Sequence, residues 1–164
     1  MADFIETGKA APAFTLENQE GEKVKLSDFK GKNPVVIYFY PKAMTPGCTK
    51  QACGFRDSSK KIQKRGVRIF GVSPDPVDRL KKFEEKEGLK LGKGFDLLSD
   101  EDHKIAEKYG AWGKKKSFGK ESVGIKRSTF IVGKDGKIKH VIPKVNTSTH
   151  HEDVLAWIDE NLDD

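Results

Sequence analysis

The segment Val35-Val36-Ile37-Tyr38-Phe39-Tyr40 is continuously apolar or aromatic. A run of this kind predicts a strand buried on both faces, as in a parallel sheet. Val67-Arg68-Ile69-Phe70-Gly71-Val72 predicts a second central strand. Two hairpins are predicted as well. One pairs Phe14-Thr15-Leu16 with Val24-Lys25-Leu26 around Glu20-Gly21. The other pairs Thr129 to Val132 with Lys137 to Ile142 around Lys134-Asp135-Gly136. Helices alternate with these strands. The first runs from Thr45 to Arg65 and stops at Gly66, and the second runs from Pro76 to Glu87, followed by Gly88. A short helix spans Glu101 to Tyr109, with Ser99 placed to cap it. The last starts at Thr149, where Glu152 three residues on predicts a capping box. Its apolar positions Val154, Leu155, Trp157, Ile158 and Leu162 are expected to dock it on the sheet.

Strands alternating with helices imply an α/β layer structure. The chain has 164 residues and no repeat, low-complexity tract or linker, so one domain over 1–164 is expected. A strand–helix–strand unit followed by a hairpin and a helix suggests a thioredoxin-like fold, a central mixed sheet flanked by helices. Charged residues make up 34% and hydrophobic residues 35%, and no apolar run approaches the roughly 20 residues of a membrane span. The N-terminus lacks a basic region followed by an apolar stretch, so no secretory signal is expected and a cytoplasmic location is. The formal net charge is +6, with basic residues concentrated in Lys50–Arg68 and Lys114–Lys144. That balance raises the question of nucleic acid. No zinc-finger spacing, bZIP repeat or interleaving of aromatic with basic residues supports it, and solvated helix faces and turns explain the charge.

Two cysteines, Cys48 and Cys53, carry the candidate chemistry. Two close cysteines in an intracellular chain are more often catalytic or metal-binding than a structural staple. No histidine is near them in sequence, so neither a metal nor a cofactor is expected. Pro41 breaks the buried strand after Tyr40. Thr45 suits an N-cap, and Pro46 suits the first helical position because its missing N–H would have had no partner there. Cys48 then falls at the third helical position, among free backbone N–H groups at the positive end of the helix dipole. Its thiol pKa is expected below the ordinary value of about 8.5. Gly47 leaves the neighbouring backbone open to a substrate oxygen. On an intact helix Cys48 and Cys53 lie roughly 140° apart, with Cα atoms about 8.7 Å from each other. A disulfide needs about 7 Å or less, so such a bond would require the first turns to unwind. The stripe Ala52, Phe55, Ile62 marks the core face, and Cys53 is expected outward or toward a surface groove.

The segment Pro41-x-x-x-Thr45-x-x-Cys48 resembles the active-site motif of the peroxiredoxins. With Cys53 it resembles the peroxiredoxin Q subfamily, also called bacterioferritin comigratory protein. The resemblance extends through Gly71-Val72-Ser73-Pro74-Asp75, Leu97-Leu98-Ser99-Asp100, His103 to Gly110 and Gly124 to Ile131. It implies reduction of hydroperoxides by a thiolate. Cys48 would be the peroxidatic cysteine and become a sulfenic acid. Thr45 would hold the peroxide in line with the sulfur. Arg127 would sit over Cys48, stabilising the thiolate and binding peroxide oxygen, and Pro41 would shield the sulfur from water. Cys53 would resolve the sulfenic acid as an intrasubunit disulfide, which a thioredoxin-type donor would reduce. The resemblance also implies a monomer. Ala43-Met44 stands where polar residues are common in the family, which makes the pocket loop more apolar and bears on the preferred hydroperoxide. Ser117-Phe118 replaces a common Met-Tyr. The alternatives are a thiol–disulfide oxidoreductase acting on proteins, against which the five-residue spacing argues, and a basic nucleic-acid binder with incidental cysteines.

Overall fold

The structure, a computed structural model, describes residues 4–42, 46–89, 95–117, 120–142, 145 and 149–161. The side chains at 46–48, 59, 115–117 and 120–122 are outside the description. Along the chain come β1 (Thr15–Asn18), β2 (Lys23–Lys25), a 3-10 turn at Leu26–Phe29, β3 (Val35–Phe39) and α1 (Pro46–Lys64). They are followed by β4 (Arg68–Ser73), α2 (Val77–Glu87), β5 (Phe95–Ser99) and α3 (Lys104–Tyr109). The rest comprises β6 (Trp112–Ser117), β7 (Lys120–Ile125), β8 (Ser128–Val132), β9 (Ile138–Ile142) and α4 (His150–Asn161).

One sheet has the order β2-β1-β5-β4-β3-β8-β9, and β6 and β7 form a separate hairpin. β3, β4 and β5 are mutually parallel, while β8 runs antiparallel to β3. The sheet is therefore mixed, with helices packed on it, as the alternation of elements predicts. All five residues of β3 are buried, because both of its faces are covered. Val36 and Tyr38 point to one side, into a core with Ala52, Phe55 and Ile62 of α1 and Val154 and Ile158 of α4. Val35, Ile37 and Phe39 point to the other, packing with Phe70, Phe130 and Tyr109. Burial of such side chains contributes roughly 1.5–3 kcal/mol each relative to exposure.

The start of α3 differs from expectation, and that of α4 gains a further side-chain bond. α3 begins at Lys104, and the Asp100 carboxylate, not Ser99, accepts from the N–H groups of Ile105 (3.3 Å) and Ala106 (3.0 Å). The Ser99 hydroxyl is engaged elsewhere, donating to the Asp75 carbonyl at 2.6 Å. At α4 the Thr149 hydroxyl donates to the Asp153 carboxylate at 3.0 Å, one residue past Glu152. The carboxylate one residue later lies on the same helix face as Thr149. α2 ends as expected, at Gly88 with φ +62°. Leu162 lies outside the described residues.

β5 and the β6–β7 hairpin were not expected. β5 carries Asp96 within a short run, and that carboxylate is satisfied by the Gln19 amide at 3.1 Å. β6 and β7 pair Trp112 with Ile125 and Gly113 with Gly124, and continue through lysine-rich positions that have no apolar alternation.

α1 and α4 approach closely where Gly54 faces His151. A Cβ added at Gly54 would meet His151 Nδ1 at 2.2 Å. Alanine is the better helix former by roughly 1 kcal/mol, but relieving this overlap must shift a ring lodged between two helices. Gly54→Ala is expected to destabilise the protein by about 1–3 kcal/mol in urea unfolding; an equal or higher midpoint would show that His151 swings aside freely.

Candidate active site

The sheet register builds the site. β3 and β4 run parallel and end at the same edge, where Tyr40 N–H still bonds the Val72 carbonyl at 3.0 Å. Pro41 follows, half-buried in a bend, and α1 starts at Pro46. β8 begins at this same edge because it is antiparallel to β3, pairing Ser128 with Phe39 and Thr129 with Tyr38. Arg127 therefore leads into β8 beside the end of β3. Strand alternation gives Arg127 the same face as Thr129, the face covered by α1.

The guanidinium reaches α1 itself. Arg127 Nη1 donates to Gln51 Oε1 at 2.5 Å. Gln51 lies three residues after Cys48, and positions i and i+3 share a helix face. The structure thus brings Arg127 within one helical turn of the Cys48 backbone, at the third residue of α1. The Cys48 side chain, Thr45 and Ala43-Met44 lie outside the description, as does Phe118.

Gln51 is fully buried, as is His150, the first residue of α4. Gln51 Nε2 lies 2.9 Å from His150 Nδ1, and His150 Nε2 lies 2.5 Å from Thr129 Oγ1. Arginine only donates, so Gln51 must face it with oxygen and face His150 with its NH₂. His150 Nδ1 then accepts, and the single imidazole proton sits on Nε2. The ring stands edge-on to Phe55 (centroids 4.9 Å apart) and Tyr38 (5.7 Å). Burial in this aromatic box lowers the His150 pKa to about 3, and the nearby charges of Arg127 and His151 act in the same direction.

Cys53 departs in part from its expected position. It is a free thiol, half-buried and packed against the core, not turned out to water. The end of α2 explains this, since Arg56 of the same helix turn donates to the Glu87 carbonyl at 2.8 Å and draws α2 over it. Burial pushes the Cys53 thiol pKa up; Arg56 opposes, and Glu87 and Asp57 add to the rise. A thiol so placed is protonated at neutral pH and is a poor first nucleophile. Among the described residues no group of three or more His, Cys, Asp or Glu converges as metal ligands would. A cavity of about 290 Å³, lined by Leu26, Phe29, Val35 and Val132, lies at the opposite end of β3.

Gln51, His150 and Thr129 were missed as site residues, although the sequence carries a signal for two of them. Gln51 interrupts the buried stripe of α1 beside Ala52, and His150 heads the stripe His150–Val154–Ile158 of α4. A polar side chain on a core face is the informative exception.

Comparison with known proteins identifies the family and the fold. The AhpC/TSA family model matches residues 7–141. Peroxiredoxin Bcp of Escherichia coli (strain K12) is 49% identical over 157 residues, covering 96% of this chain and 97% of the relative. The crystal structure of peroxidoxin BcpB from Mycobacterium tuberculosis superposes with a TM-score of 0.82 at 34% identity, over 97% of this chain and 99% of that one. A structure of Xanthomonas campestris bacterioferritin comigratory protein, described in terms of its alkyl peroxide reduction activity, gives 0.81 at 33% identity over 90% of each chain.

The buried histidine has a pH signature. The unfolded chain binds a proton at His150 below about pH 6.5, the folded chain only below about 3. Its contribution to stability is full above pH 6.5 and is lost as pH falls toward 3, by at most about 1.4 kcal/mol per pH unit. Urea unfolding between pH 6.5 and 4 should show a shallower loss of stability for His150→Phe than for the unaltered protein, and equal slopes would contradict a neutral buried imidazole. With a thioredoxin-type sheet, a cysteine in the first turn of α1 and an arginine bonded one turn further along that helix, the chain belongs to the AhpC/TSA family, among the Bcp and peroxiredoxin Q peroxiredoxins, which are thiol-dependent peroxidases.

Proposed function

We propose that Cys48 is the peroxidatic cysteine and that Arg127 activates it. The observation that carries this is the 2.5 Å bond from Arg127 to Gln51, one turn along α1 from Cys48. An arginine stays charged at every physiological pH and offers several donors in one plane. Together with the free N–H groups of the first helical turn it favours a thiolate over a thiol. In this reading Thr45, outside the described residues, is assigned the orienting of the peroxide, and Pro41 the limiting of water on the strand side.

The Cys48 thiolate attacks the distal peroxide oxygen. The S–O bond forms as the O–O bond breaks, the leaving alkoxide or hydroxide takes a proton, and the products are Cys48 sulfenic acid and an alcohol or water. The Cys53 sulfur then displaces hydroxide from the sulfenic sulfur, giving a Cys48–Cys53 disulfide and water. A dithiol donor of the thioredoxin type reduces the disulfide and is itself oxidised. α1 is helical across both cysteines, a geometry suited to peroxide capture but too long for the bond, so resolution requires its first turns to unwind. The protonated, half-buried Cys53 suits the later role.

Alkyl hydroperoxides as well as hydrogen peroxide are expected substrates, since the Xanthomonas relative is described by its alkyl peroxide reduction. The chain is expected to act as a single domain and a monomer in the cytoplasm; no helix among the described residues is long and apolar enough to cross a membrane. Peroxide consumption driven by thioredoxin and its reductase tests the two assignments. Cys48→Ser should lose all turnover. Cys53→Ser should consume about one equivalent per chain and then stop. Normal thioredoxin-driven turnover by Cys53→Ser would refute the resolving role, and residual turnover by Cys48→Ser would refute the peroxidatic one.

A further inference from the structure

The guanidinium of Arg127 is only as well placed as the amide it donates to. Gln51 is a symmetric fork with one accepting and one donating arm. Rotated by half a turn it would set Nε2 against the Arg127 N–H groups, donor against donor. Arg127 disfavours that rotation from one side, and an acceptor on the other side, toward His150, holds the donating arm away from the guanidinium. We propose that His150 is a positioning residue for peroxide reduction: its bare Nδ1, 2.9 Å from Gln51 Nε2, fixes the amide so that Oε1 faces Arg127.

The histidine is itself fixed. Its Nε2 lies 2.5 Å from Thr129 Oγ1, on the strand position that pairs with Tyr38, and in the tautomer that Arg127 and Gln51 require it donates its proton there. Phe55 and Tyr38 hold the ring edge-on from α1 and β3. The charged groups around it are Arg127 and His151, both of which oppose protonation. The ring therefore stays neutral through the working pH range and does not exchange protons with substrate. Its effect passes through Gln51 to Arg127, and from there to the Cys48 sulfur. Three N–H donors, one each from Arg127, Gln51 and His150, are thereby satisfied, and a buried polar group left unpaired would cost roughly 1–3 kcal/mol.

This inference rests on the proposed role of Arg127, and the experiment separates the two. Reduced protein is mixed with hydrogen peroxide in a stopped-flow instrument, and the second-order rate constant is measured from pH 5 to 9. Arg127→Gln, His150→Phe and His150→Asn are compared with the unaltered chain. His150→Phe keeps an aromatic ring but removes the acceptor; its rate constant should fall at least about tenfold, with the thiol inflection moved to higher pH. Asparagine can place an oxygen near the position of Nδ1, so His150→Asn should recover most of the rate and the original inflection. Unaltered kinetics in Arg127→Gln would remove the role of Arg127 itself. A slow Arg127→Gln beside a His150→Phe of ordinary rate would remove the role of His150 alone. Equal losses in both His150 variants would mark a merely structural residue and overturn the inference. Should His150→Phe not fold, ¹⁵N spectra of the imidazoles in the unaltered protein decide: Nε2 protonated and Nδ1 bare between pH 5 and 8 supports it, and a protonated Nδ1 refutes it.

Discussion

The Gln51 carboxamide is the joint on which the site depends. It is fully buried and uses its oxygen on Arg127 and its nitrogen on His150. Through these two bonds and the His150–Thr129 contact the first turns of α1 are tied to the start of α4, to β8 and to the approach to β8. None of these elements is local to another in sequence; residues 51 and 150 are 99 positions apart. A buried network of this kind is stable only when complete, because each member left alone would carry its full desolvation cost. That requirement makes the position of Arg127 a property of the whole domain, not of one flexible side chain.

The same joint bears on resolution. Gln51 lies between Cys48 and Cys53, so any unwinding that lets the two sulfurs meet displaces it. On the proposed mechanism, the arrangement that presents the arginine to peroxide must come apart before the disulfide forms. Cys53, packed under the end of α2, must also leave its place against the core.

Much of the architecture was legible because hydrophobic patterning is strong where burial is complete. β3 and β4 follow from apolar runs, α1 from its cap, its stop at Gly66 and its apolar stripe, and α2 from Pro76 and Gly88 at its ends. β5 escaped notice because Asp96 interrupts it, and its carboxylate accepts a hydrogen bond from Gln19, a partner 77 residues away that no local pattern reveals. The β6–β7 hairpin escaped because its lysines leave no alternation to detect. Arg127 entered only through family resemblance; the physical reason for its place is the antiparallel register of β8 on β3, which sequence spacing does not give. Gln51 and His150 were visible as polar residues on core faces, but their pairing needed three dimensions.

The central claim is that the start of α1 and the guanidinium of Arg127 together hold the Cys48 sulfur as a thiolate. The direct measurement is ultraviolet absorbance of the thiolate against pH in Cys53→Ser, where Cys48 is the remaining cysteine. A midpoint well below the ordinary thiol value of about 8.5, rising when Arg127→Gln is added, is the expected result. A midpoint at or above 8.5 that ignores Arg127 would contradict it.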